Sequence, residues 1–186
     1  MKKEIIEWII TIIIAVILFF VIRMFLFITY SVEGDSMFPT LKDGDKLIIN
    51  KIGYQLTEIE QGDVVVFHAN DQDDYVKRII ATPGDTFKYE DDQLFVNDQK
   101  VSEPYLETLK SNVGGRVTEN IEMKNIDGVE GQSKIPEDHY LVLGDNRINS
   151  KDSRHFGLIE RDQIVGEVSL RYFPFDTFKY SFDPAK

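Results

Sequence analysis

Fifteen consecutive residues without a charge, WIITIIIAVILFFVI at 8–22, limit this chain more than any other stretch. Past Arg23 the apolar character resumes in MFLFITY, residues 24–30. A helix over 8–30 would be roughly 35 Å long at about 1.5 Å per residue, enough to cross the hydrocarbon core of a bilayer. Arg23, seven residues from the far end, can reach the interface along its own aliphatic stem. The flank LFITYSVEG is bulky or branched at nearly every position, whereas a removable leader needs small residues before its cut. The stretch reads as a retained anchor, neither a leader nor the buried helix of a soluble fold. Lys2 and Lys3 favour a cytoplasmic N-terminus, but Lys42 and Lys46 follow the run closely, so charge alone does not decide orientation.

The chain has 186 residues, about the length of one domain. Its net charge is −11; residues 1–30 hold Lys2, Lys3 and Arg23 against Glu4 and Glu7, so they carry +1 and the remainder −12. A body this acidic repels phosphates, which argues against nucleic acid as a partner. There is no cysteine, so disulfides and thiolate metal sites are excluded. Beyond residue 30 no apolar run is long enough for a second span. Short runs rich in β-branched and aromatic residues follow: KLIIN (46–50), DVVVFHA (63–69), YVKRIIA (75–81), FKYE (87–90), QLFVN (93–97), YLVLG (140–144) and IVGEVSLRYF (164–173). FKYE and QLFVN flank two aspartates and predict a hairpin. Residues 98–135 are polar and broken by GG and DG, which predicts an inserted, loop-rich segment. The expected fold class is mainly β: a membrane helix within 1–30, then an antiparallel β-domain over 31–186.

EGDSMFPTLKDGD (33–45) raises a chemical question, because Ser36 would need a base if it were a nucleophile. GDS suggests a histidine-assisted serine of the chymotrypsin kind. That signature continues Ser-Gly-Gly, and this chain continues Ser-Met-Phe-Pro; none of His68, His139 and His155 lies in a stretch that looks like a triad partner. Lys77, in YVKRIIATPGD (75–85), is the other candidate. Strand alternation puts Tyr75, Lys77 and Ile79 on one face and Val76, Arg78 and Ile80 on the other. One reading is an edge strand whose lysine blocks aggregation. The other is a lysine held among apolar groups, where burial and the neighbouring Arg78 both disfavour the ammonium. Such an amine can take a proton from a serine hydroxyl. A third stretch, LGDNRINSKDSRHFG (143–157), packs Asp145, Arg147, Asp152 and Arg154 among small hydrogen-bonding residues. It reads either as a solvated loop or as an ion-paired one that fixes neighbouring strands.

In this order, behind an apolar N-terminus, the three stretches resemble the bacterial type I signal peptidase family in its short, single-span form. SMFPTL (36–41) is similar to the family's serine motif, GDVVVF (62–67) to a structural strand motif, YVKRIIATPGD to the lysine motif and GDNRINSKDSRHFG (144–157) to the last motif. The likeness thins out over 98–135. The resemblance implies Ser36 as nucleophile, Lys77 as general base and the Ser36 backbone amide as oxyanion donor. Some relatives add a serine hydroxyl two places before the nucleophile, where this chain has Gly34. By the same resemblance Ser150 would hydrogen-bond and orient Lys77, while Asp145, Asp152, Arg78 and Arg154 would hold the last motif against the lysine strand. Ile148 stands where an acid is common and His155 where an aromatic is common. The implied substrates are exported pre-proteins with small residues one and three positions before the cut. The implied partners are those pre-proteins and the lipid bilayer, with no cofactor and no metal. The implied place is the cell membrane, with a cytoplasmic N-terminus and the β-domain on the extracytoplasmic face. Met37 and Phe38, beside the serine, fit lipid headgroups or a core equally well. A self-cleaving Ser-Lys repressor would need a soluble DNA-binding domain where residues 1–30 form an anchor. An inactive anchored β-domain that binds extracellular partners is the non-enzymatic alternative, and the presence of both Ser36 and Lys77 speaks against it.

Overall fold

The computed structural model describes residues 2–51, 58–129 and 131–182, with the side chains of residue 2 and residues 21–26 outside that description. The chain opens with helix α1 (Lys2–Leu26). Ile5, Trp8, Ile12, Phe19 and Phe20 are all more than half exposed along it. Among the described residues no helix is long and apolar enough to cross a membrane. The described side chains of α1 end at Phe20, inside the expected span, and the part of that span at 21–26 lies outside them. The expectation of a helix through residue 30 is corrected. FITYS forms strand β1 (Phe27–Ser31), because its β-branched and aromatic residues pair antiparallel with β2 (Lys46–Asn50) from Phe27↔Asn50 to Ser31↔Lys46.

Two antiparallel sheets build the body. The larger has β1, β2, β11 (Ile164–Phe173), β3 (Val64–His68), β4 (Asp74–Ala81), β9 (His139–Leu143) and β10 (Ile159–Glu160), side by side in that order. The smaller has β7 (Gln99–Val101), β6 (Gln93–Val96), β5 (Phe87–Glu90) and β8 (Ile121–Glu122). The expected hairpin is present, with Glu90 opposite Gln93. Its two turn aspartates, Asp91 and Asp92, take the left-handed conformation at φ 52° and 62°, which Asp tolerates better than most residues. Alternation along β3 divides the core. Val64 and Val66 pack with Leu47, Ile49, Met37 and Leu41, whereas Val65 and Phe67 pack with Ile79, Tyr140 and Val142. Between the sheets Ile80, Phe87, Tyr89, Leu94 and Leu141 form the largest cluster. Strand β4 lies between β3 and β9, so the edge-strand reading of Lys77 fails.

Residues 98–135 differ from the expected loop-rich insertion. They hold β7, helix α2 (Glu107–Val113) and β8. Leu106, Leu109 and Val117 make a small core of their own, while Ile121, Met123, Ile126 and Ile135 join the core between the sheets. Two- and three-residue strands and a seven-residue helix are too short to show a period, which is why the sequence looked unstructured. The segment also supplies a buried partner to the last motif. Arg147 Nη2 donates to Glu103 Oε1 at 2.6 Å, and its Nη1 donates to the Tyr89 hydroxyl at 2.7 Å. The hydroxyls of Tyr89 and Tyr105 donate to the same Glu103 oxygen at 2.8 Å and 2.7 Å. Removing one partner of a buried pair leaves the other charge uncompensated, at about 3–5 kcal/mol. Glu103→Ala is therefore expected to destabilise the protein by that amount, measured by denaturant unfolding. A loss within about 0.5 kcal/mol, as at an ordinary surface site, would show that Arg147 does not depend on Glu103.

Candidate active site

The turn that carries Ser36 is fixed from both ends. Gly34 has φ +77° and donates its amide to Asp43 Oδ1 at 2.7 Å. Phe38 N donates to Asp35 O at 3.0 Å, and Leu41 N to Met37 O at 2.9 Å. Met37 and Leu41 are buried beneath the turn, so of the two roles open to Met37 the core is the one it has. The Ser36 amide donates to no acceptor among the described residues. A side chain at Gly34 would meet no atom within 4 Å, but the left-handed backbone there disfavours any residue with a Cβ.

Lys77 reaches the serine from β4. Its Nζ lies 2.8 Å from Ser36 Oγ and 2.9 Å from Val76 O, and 5.2 Å from the centre of the Tyr75 ring. The residue is 3 % exposed. Burial pushes its amine down from 10.5 to about 8, and the nearby carboxylates of Asp152 and Asp145 only partly oppose this. Arg78, expected to help by repulsion, is not among the causes. Its charge is matched by Asp145, with Nε to Oδ1 at 2.9 Å and Nη2 to Oδ2 at 2.7 Å. Thr40, four residues after the serine, donates its hydroxyl to Asp145 as well. That link between the serine turn and the ion pair was missed, because a threonine in a turn has no distinguishing pattern.

The last motif runs beside both residues. Asn146 N donates to Ser36 O at 3.0 Å, and Asn146 Nδ2 to Asp35 O at 3.0 Å. Asn146 was not singled out in the sequence, although its place in the motif was visible. Asp152 caps helix α3 (Ser153–Phe156), accepts from Gly144 N at 3.0 Å and from Arg154 Nε and Nη2 at 2.7 Å each. Burial works to raise the Asp152 carboxyl, but Arg154 and the Gly144 amide overcome it and hold the group below the usual carboxylate range. Ser150 requires a correction. Its hydroxyl was expected to hydrogen-bond Lys77, yet Ser150 Oγ is buried away from that amine and lies beside Asp152, whose carboxyl it helps to hold down. Lys77 is instead occupied by Ser36 and Val76 O. Ser150 packs on Gly144, where a Cβ would collide with Ser150 Oγ and with the Ser36 carbonyl.

Ser36 and Lys77 open into a cleft of about 420 Å³, whose walls include Tyr30, Val32, Met37 and Tyr75. No histidine lines it. His68 is 61 % exposed and pairs with Asp74, while His155 lies 4.0 Å from Asp152. Among the described residues no group of three His, Asp or Glu side chains is placed to hold a metal. The arrangement can pass a proton from a hydroxyl to a buried amine and present a free backbone amide beside the same carbon.

The position of Lys77 also has a thermodynamic signature. Its amine titrates near 8 when folded and near 10.5 when unfolded, so between those values the unfolded chain binds more protons and stability rises with pH. Relative to Lys77→Met, the wild type is expected to gain about 3 kcal/mol as pH rises from 7 to 10.5. The measurement is chemical unfolding of both proteins in detergent across that range. A difference independent of pH would mean that the amine is not desolvated.

Three comparisons bear on what this arrangement belongs to. The family model described as "Signal peptidase, peptidase S26" matches residues 5–173. Signal peptidase IB of Staphylococcus aureus (strain MRSA252) is 51 % identical over 186 residues, covering 99 % of this chain and 97 % of the relative. Signal peptidase I of Bacillus caldolyticus is 47 % identical over 162 residues, covering 87 % of each chain. The crystal structure of a signal peptidase I from Enterococcus faecalis V583 superposes with a TM-score of 0.56 at 32 % identity, covering 60 % of this chain and 97 % of that one. With a family model across most of its length and a relative half identical from end to end, the chain belongs to the signal peptidase family, peptidase S26.

Proposed function

We propose that this protein is a membrane-anchored serine endopeptidase that removes signal peptides from exported pre-proteins, with Ser36 as nucleophile and Lys77 as general base. The observation that carries the reading is the 2.8 Å separation of Lys77 Nζ and Ser36 Oγ around an amine that burial pushes down to about 8. A lysine is a base only after losing its proton, so at neutral pH this one is far closer to working order than a solvated lysine. The neutral amine takes the hydroxyl proton as Ser36 Oγ attacks the scissile carbonyl. The Ser36 amide stabilises the oxyanion. The same proton then goes to the leaving amine, and water, activated by Lys77, releases the acyl group. The Arg78–Asp145 pair holds the 144–157 loop against β4, Asp152 and Arg154 brace the loop from within, and Ser150 backs Gly144.

Residues 1–30 are read as the anchor and 31–186 as the extracytoplasmic catalytic domain. Support comes from the helical backbone of α1 through Leu26 and from apolar side chains exposed on all its sides, a pattern that water does not favour. Lys2 and Lys3 then face the cytoplasm. An extended substrate beside the cleft presents alternate side chains to one wall. That geometry accounts for small residues one and three positions before the cut.

The test is processing of a pre-protein by the detergent-solubilised full chain. Ser36→Ala is expected to abolish cleavage with unchanged unfolding. Lys77→Arg keeps the charge but cannot lose the proton, so it too is expected to be inactive. The kcat/KM of the wild type should fall tenfold per pH unit below about 8, the value at which Lys77 gains its proton. Processing retained in either variant, or an acid limb nearer pH 6, would point to a different base. Gly144→Ala pushes the Ser36 carbonyl aside, and an ångström of misplacement costs about 10²-fold. A loss under about threefold in kcat/KM would show that the loop does not set the serine's position.

A further inference from the structure

A second cleft, of about 620 Å³, lies on the other side of the 144–157 loop. Its walls include Arg116, Glu119, Asn149, Ser150, Lys151 and His155. Arg147 and Arg154 reach it too, but their charges are matched by Glu103 and Asp152. Arg116 is paired with Asp91 at 2.6 Å in an exposed bridge, which solvent screens. Lys151 is exposed and has no ion pair among the described residues. Glu119 is the one carboxylate in this wall. Of the four cations in this wall, Lys151 is the one that no ion pair among the described residues engages.

This cleft is continuous with the Ser36 cleft in one respect that matters. Lys151 lines both. Ser150, in the wall of the second cleft, closes on the same point beside Gly144 as the Ser36 carbonyl. Glu33, Asp73 and Asp74 line the cleft that holds Ser36, together with Lys77 and Lys151. A peptide in extended form advances about 3.3 Å per residue. Because Lys151 lines the cleft that holds Ser36 as well as the second one, it is placed beside a peptide lying across the serine. We infer that the second cleft is a subsite for an acidic side chain of the polypeptide being cut, with Lys151 as the residue that selects it. The inference rests on Ser36 being the nucleophile. It adds a charge preference to the requirement for small residues, and the preference is carried by the loop that also positions the serine.

The test uses the full chain in detergent and a set of peptides from one cleavable sequence, with Glu, Gln or Lys placed in turn at each of the four positions on either side of the cut. At one or more positions the Glu peptide is expected to have a kcat/KM roughly three- to fivefold above its Gln counterpart, the size of an exposed ion pair. The Lys peptide should fall below both. The Glu preference should shrink as salt shortens the screening length to about 3 Å near 1 M. Lys151→Gln should abolish the preference and Lys151→Glu should invert it, with the all-neutral peptide cleaved at a similar rate by all three proteins. Equal Glu-to-Gln ratios in wild type and both variants would overturn the subsite. So would a Lys151→Gln protein that loses only its affinity for vesicles containing phosphatidylglycerol, since the cation would then serve a lipid. Failure of the wild type to cut even the neutral peptide would instead refute the Ser36 reading.

Discussion

Two adjacent cations of strand β4 are buried, and the fold treats them in opposite ways. Arg78 is fully matched: both arms of its guanidinium meet Asp145, and its remaining nitrogen donates to the carbonyls of Gly62 and Phe182 at 2.7 Å and 2.6 Å. Lys77 is deliberately under-matched by comparison, with a serine hydroxyl and one carbonyl as its partners. A buried cation with a carboxylate stays charged, and one without it is driven toward the neutral amine. The pairing of Arg78 with Asp145 therefore has two effects. It ties β4 to the last motif, and it keeps that carboxylate engaged beside the less fully matched Lys77.

From this pair the polar network extends outward in both directions. Thr40 joins Asp145 to the serine turn. Arg147 Nε donates to Gly144 O at 3.1 Å, and Arg154 Nη1 to Arg147 O at 2.7 Å, so the loop is bound to itself before it touches the serine. Tyr105 lies against both buried arginines, with the Arg78 guanidinium 4.0 Å and that of Arg147 5.9 Å from its ring centre. The residues around the reactive pair are held through side chains that come from both sheets and from the segment over 98–135. Such bracing is what fixes the separation of two side chains to a fraction of an ångström.

Much of this was legible in the sequence, and the part that was not has physical reasons. Strands of four to ten residues with β-branched runs were visible as such, since each is long enough to show composition and turn punctuation. Lys77 was recognisable because a cation inside IIA-type strand sequence conflicts with its surroundings, and such conflicts mark functional places. The 98–135 segment was not legible, because its elements are shorter than any period. The start of β1 was misread because FITYS is as apolar as the helix before it, and only its partner β2 decides between the two. Ser150 was assigned a bond to Lys77 by resemblance, whereas the side chain's direction depends on Gly144 and cannot be read from order along the chain.

The junction of α1 and β1 has a consequence of its own. Leu26 ends the helix and Phe27 begins the strand, so no linker separates them. Five strand residues, at about 3.3 Å each, give roughly 17 Å from the helix end to Ser31, and Tyr30 and Ser31 already form part of the cleft wall. The direct junction therefore fixes how far Ser31, and the cleft it helps to wall, can stand from the end of α1, without the freedom a tether would give.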